Sequence, residues 1–119
     1  MTIQLTLDEV VADLRAIVAE KGEGYVYPNY SCVYFEPTGE PSCVVGQVMA
    51  RHGVSREDLD SIAVRTRWLN SSAAVSLFAE GIIDCEPEVR GLLMRAQDIS
   101  DSHDMWGAIL DLLPEGEAR

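Results

Sequence analysis

A glycine in the middle of a short apolar run is the strongest constraint on how this chain can fold. The run is Pro41-Ser42-Cys43-Val44-Val45-Gly46-Gln47-Val48-Met49-Ala50-Arg51-His52-Gly53-Val54. Ser42, with Pro41 just before it, is a residue type whose side chain caps a helix start, and Gly53 stands where a left-handed residue closes one. Val44, Val45, Val48 and Met49 form one apolar flank at helical spacing. Cys43, Gly46 and Ala50 form a second stripe with almost no side-chain volume. A glycine inside a helix costs about 1 kcal/mol against alanine, so close approach of another backbone is the expected compensation. The stretch is expected to be a short central helix, buried on most sides, in which Gly46 and Cys43 let helices touch.

The chain on either side of it reads as mainly helical. Thr6-Leu7-Asp8-Glu9 is a capping box that opens a helix with Val10, Leu14, Ile17 and Val18 inward and Gly22 at its end. Residues 25–36 are rich in aromatic and β-branched types broken by Pro28-Asn29, and are expected to form two short antiparallel strands in a hairpin. Ser55-Arg56-Glu57-Asp58 starts a short helix carrying Leu59 and Ile62. Ile62 to Trp68 alternates as an edge strand or extended loop, and Asn70-Ser71 opens a helix with Leu77 and Phe78 inward and Gly81 closing it. Pro87 suits the first turn of the next helix, whose core face is Val89, Leu92, Leu93, Ala96 and Ile99. Asp101 or Ser102 restarts a last helix with Met105, Ile109, Leu112 and Leu113 aligned, ended by Pro114. The expected fold is α+β and mainly helical, five or six short helices around a small antiparallel β-hairpin. It is expected to form one domain over residues 1–119, with 115–119 a frayed tail.

Charge narrows the function classes. Twenty acidic residues face nine basic ones, for a net charge of −11. That balance argues against non-specific affinity for nucleic acid or anionic membrane. The apolar runs are too short to cross a bilayer. Met1-Thr2-Ile3-Gln4 lacks the basic and apolar regions of a signal peptide, so a cytoplasmic location is expected. Three cysteines, Cys32, Cys43 and Cys85, are an odd number in such a compartment and favour free thiols. Gln47 to Ile62 has the outline of a helix-turn-helix. Its second helix would present Glu57, Asp58 and Asp60 to phosphates that repel them.

Chemical candidates are few. Cys43 is the best nucleophile, since a helix N-terminus favours a thiolate. A cysteine hydrolase needs an imidazole beside it, and His52 is about 13 Å further along the same helix. His103 is the remaining imidazole, and only tertiary folding can bring it to Cys43. Cys32, Cys43, Cys85 and a histidine are the only material for a Cys3His metal site, without any short C-x2-C pair. No metal or other cofactor is expected. Tyr25, Tyr27, Trp68 and Trp106 are interface candidates, as are the acids Asp98, Asp101 and Asp104. All four tyrosines lie within ten residues, where they serve as sheet residues or as a stacking platform.

Two blocks carry a resemblance. One is Pro41 to Val48 with Cys32-Val33-Tyr34-Phe35 before it, and the other runs from Ala96-Gln97 to Trp106-Gly107. Together they resemble a group of small proteins of unassigned function encoded by actinobacteriophages and some actinobacteria. The preference for arginine over lysine fits a GC-rich genome. Gln47 stands where that group often has His, and Ser100 and Ser102 stand for its Gln and Gly. The resemblance implies a phage or prophage origin and action in the host cytoplasm. The expected function is a non-enzymatic accessory protein that binds a host or phage protein, with a homodimer as a further expectation. An acidic DNA mimic directed at a nucleic-acid-binding protein and a cysteine-dependent hydrolase are the alternatives.

Overall fold

Local chemistry sets most helix ends in this chain, and two strand-to-helix steps bring the helices together. The structure is a computed structural model that describes residues 2–28, 33–61, 63–64, 67–68 and 73–113. In order, the elements are β1 (Ile3–Gln4), α1 (Leu7–Lys21), α2 (Val44–Arg51), α3 (Arg56–Asp60), β2 (Ala63–Val64), β3 (Arg67–Trp68), α4 (Ala74–Ala79), β4 (Ile83–Asp84), α5 (Pro87–Asp101) and a 3₁₀ helix (Trp106–Leu112).

The capping boxes form as the sequence predicts. The Glu9 N–H donates to Thr6 Oγ1 at 3.2 Å while Glu9 Oε1 accepts from the Thr6 N–H at 3.0 Å. Ser55 and Asp58 repeat the arrangement at the start of α3, with the Ser55 N–H donating to Asp58 Oδ2 at 2.7 Å. Pro87 is in the first turn of α5. Helix α2 closes through Gly53 at φ 89°. The Gly53 N–H donates to Ala50 O (3.1 Å) and the Val54 N–H to Met49 O (3.1 Å), the paired bonds of a left-handed helix stop.

Strands β1 and β4 pair in parallel, Ile3 opposite Ile83, although 80 positions of the sequence separate them. Such a pair requires a crossover, and here α1 to α4 supply it. Helix α1 packs on α2, α5 and the 3₁₀ helix, and α2 packs on α5. Leu14, Val48, Met49, Leu93 and Trp106 are wholly buried between them. Among the described residues no helix is long and apolar enough to cross a membrane.

Two expectations are corrected. No antiparallel hairpin forms between 25 and 36 among the described residues. Val26 instead bridges Met105, and Phe35 bridges Pro41. Each half thus finds its backbone partner elsewhere, and Tyr34 and Phe35, adjacent in sequence, are both buried rather than alternating between wet and dry faces. The described antiparallel pair is β2 with β3, at Ala63–Val64 and Arg67–Trp68. The last helix is a 3₁₀ helix beginning at Trp106, because α5 continues through Asp101 and Met105 turns outward. Its first N–H groups donate to the chain beside them, Trp106 to Tyr25 O and Gly107 to Glu23 O, both at 2.8 Å. The expected opening of α4 at Asn70-Ser71 lies outside the described residues; α4 begins at Ala74.

Capping fixes a pH dependence. The Thr6 backbone N–H, then its hydroxyl, holds the Glu9 carboxyl below its usual range, and the Ser55 backbone and hydroxyl do the same for Asp58. A carboxyl with a lowered pKa contributes its stability above the unfolded-state value and loses it as pH falls through the folded one. Stability is expected to decline as pH drops below about 4. Combining Glu9→Gln with Asp58→Asn should flatten that acid limb in urea midpoints measured against pH. An acid limb as steep as the unaltered protein's contradicts the assignment.

Candidate functional site

The first place to look for chemistry is the start of α2. Cys43, not Ser42, occupies the N-cap position, and it makes no side-chain cap. The expectation that Ser42 caps the helix is therefore corrected. Its hydroxyl donates to Glu36 Oε2 instead. Tyr27 OH lies 2.8 Å from the same Ser42 Oγ. The serine's one hydroxyl hydrogen is used in donating to that carboxylate, so in the Tyr27–Ser42 contact the tyrosine is the donor. The cap comes from α5. Gln97 Oε1 accepts from the Val45 N–H at 3.1 Å in the buried interior, and Gln97 Nε2 donates to Asp101 Oδ1 at 2.8 Å. Gln47 Nε2 donates to the Pro41 carbonyl (2.9 Å), which ties the incoming chain to α2.

Gly46 meets another backbone as its sequence requires, but that backbone is the bend at Tyr34 rather than a second helix. A Cβ built on Gly46 would overlap the Tyr34 carbonyl oxygen and sit 2.8 Å from its carbon. The same carbonyl accepts the Ser42 N–H at 2.8 Å.

Cys43 has no exposed surface, so in this fold it offers no thiol to a substrate. His52 Nε2 lies 2.6 Å from Asp13 Oδ2, and Arg51 Nε approaches the other oxygen, Asp13 Oδ1, at 3.5 Å, so this imidazole is engaged with α1. His103 lies just past α5 at φ 61°, the left-handed position that stops the helix, with its N–H donating to Ser100 O. Cys32 lies outside the described residues. Among the described residues no group of three or more His, Cys, Asp or Glu is placed to hold a metal.

An open cleft of about 480 Å³ lies at the carboxyl ends of β1 and β4, where α1 and α5 both begin. Cys85 lines it, half-buried, with Thr6, Asp84, Glu86 and Glu88. Burial pushes the Cys85 thiol up despite the opposing Arg90. Two helix N-termini attract anions, but three carboxylates at the same rim repel them. Nothing in the sequence marks this cleft, because it depends on pairing two-residue strands that lie 80 positions apart, Ile3 with Ile83.

The proposed interface residues divide. Trp106 is completely buried, with Tyr25 edge-on to it at 4.7 Å between ring centroids. Tyr27 is buried as well. Neither Trp106 nor Tyr27 presents a surface, which corrects their assignment to an interface. Tyr25 is partly buried; burial first, then Tyr27 and Glu36, pushes its phenol up, and Lys21 Nζ lies 5.4 Å over its ring. Trp68 lies in β3, with its side chain outside the described residues. Asp98, Asp101 and Asp104 are exposed. The signal that sequence reasoning missed is apolar. Val26 (40% exposed) and Met105 (59%) face outward from opposite sides of one bridge, and Val75 (55%) and Met94 (41%) are also exposed.

The two described thiols should differ in reactivity. In a Cys32→Ser background, native protein at mildly alkaline pH should be alkylated at Cys85, slowly for a thiol, and at Cys43 only after unfolding. Rapid native labelling of Cys43 contradicts this geometry. No protein-family model matches the chain, and no curated protein or solved structure is significantly similar to it.

Proposed function

We propose that the protein acts by binding, not by catalysis, and that its partner is a host or phage protein presenting a basic, partly apolar segment. The observation that carries this is the outward-facing pair Val26 and Met105, set between exposed Glu23 and Asp104. Apolar side chains left in water and rimmed by polar ones are typical of contact sites. The surrounding charge selects the sign of the partner, because a chain of net −11 attracts cations and repels anions at long range. The last turn of α5 adds to this. It carries acids and no base, against the negative end of the helix dipole. Local rules are broken in this way most often where function requires it. The resemblance to actinobacteriophage proteins supports a partner in the bacterial cytoplasm.

A DNA mimic is the second reading. It is favoured by the exposed row Asp98, Asp101 and Asp104, spaced three residues apart. It differs from the first in predicting a nucleic-acid-binding partner that duplex DNA displaces.

The test is capture from actinobacterial lysate, with and without salt, by the unaltered protein and by variants Met105→Glu and Asp104→Lys. A partner held at low salt, released as salt rises and lost with both variants supports the proposal. A partner retained equally by all three proteins at all salt concentrations rejects it. Release by competing duplex DNA selects the mimic.

A further inference from the structure

The outward face of α5 carries a base, Arg90, and an acid, Asp98, four residues to either side of Met94. We infer that it is a self-docking surface on which a second copy of this chain packs antiparallel. Independently of the partner proposed above, this would make the protein a two-fold dimer.

Met94 is the middle residue of Pro87–Asp101 and is 41% exposed. At 3.6 residues per turn, Pro87, Arg90, Asp98 and Asp101 all lie within about 40° of it around the helix. All four are exposed. A two-fold axis through Met94 sets each residue before it against the residue equally far after it on the other copy. Met94 then meets itself, Arg90 meets Asp98, and Asp98 meets Arg90, so two ion pairs form by symmetry. Any other register, or a parallel pairing, loses this match.

Three features of α5 fit that arrangement. Among the described residues neither Arg90 nor Asp98 has an ion-pair partner within the chain. Arg90 is nevertheless held in place: its Nε donates to Cys85 O at 3.3 Å, and its guanidinium lies 5.8 Å over the Phe78 ring. Second, Asp98 and Asp101 occupy a last turn with no base. Antiparallel docking places beside them the positive end of the other α5, which no side chain caps. Third, Val75, 55% exposed, lies one turn before Phe78 on α4, so the helix packed beside α5 also offers exposed apolar surface. Opposing these are the net charge of −11 on each copy and the Glu86 and Glu88 side chains near the end that receives Asp101. Salt screens the long-range part of that repulsion, with a Debye length of about 8 Å near 0.15 M.

The experiment is sedimentation over a wide concentration series in about 0.15 M salt, on the unaltered chain, Arg90→Glu, Asp98→Arg and Met94→Arg. The unaltered chain should dimerise. Each single reversal acts twice by symmetry and should weaken self-association roughly tenfold or more. Met94→Arg should abolish it. The decisive arm mixes the Arg90→Glu and Asp98→Arg chains. Each repels its own kind but is complementary to the other, so the mixture should form a heterodimer within about threefold of the unaltered affinity. A misfolded variant could not pair in this way. A chain that stays monomeric at the highest concentration, a dimer indifferent to the reversals, or a mixture that fails to pair overturns the inference.

Discussion

The contact between Gly46 and the Tyr34 carbonyl is the constraint on which the rest of this structure depends. The carbonyl lies against the helix where any side chain would collide with it, and it also accepts the Ser42 N–H that leads into α2. Fixing this one group buries Tyr34 and Phe35 beneath α2 and sets the direction from which the chain enters the helix. It also orients the neighbouring polar groups. Ser42 turns away from its expected capping role toward Glu36 and Tyr27, which leaves the start of α2 without a cap of its own. A buried N–H without a partner costs about 1–3 kcal/mol. Gln97 removes that cost by reaching across from α5.

The outcome is a helix whose N-terminus is completed by a residue 52 positions away. Helices α2 and α5 are therefore coupled through a hydrogen bond as well as through packing. Asp101, at the solvent end of the chain of bonds, holds the other end of the Gln97 amide. The core shields Cys43 at one end of this arrangement, while the acids of α5 remain in water at the other.

How much of this was legible in the sequence depended on the distance between partners. The Thr6–Glu9 and Ser55–Asp58 boxes, the Gly53 stop and Pro87 in the first turn of α5 are each defined within six residues, and all are found as predicted. The need of Gly46 for a close neighbour was legible from its cost, but not that the neighbour would be a bend in the loop before α2 rather than a helix. The hairpin failed because Val26 pairs with Met105, far along the chain, which no local propensity encodes, while Phe35 pairs with Pro41 across the turn that follows it. The parallel pairing of Ile3 with Ile83 was hidden for the same reason, and with it the Cys85 cleft. Ser42 misled because its residue type favours capping while its actual partners, Glu36 and Tyr27, come from a neighbouring loop. The tryptophan and tyrosine surface was overestimated because composition does not say which aromatic rings the core takes.

The substitution Gly46→Ala tests the central contact most directly, because the two possibilities predict opposite signs. In an unobstructed helix, alanine in place of glycine stabilises by roughly 1 kcal/mol. Here the methyl would strike backbone that cannot turn aside, and overpacking of that kind costs about 1–3 kcal/mol or more. Chemical denaturation of the two proteins is the measurement. A lower midpoint for Gly46→Ala is the predicted result, and a midpoint equal to or above that of the unaltered chain would contradict the account.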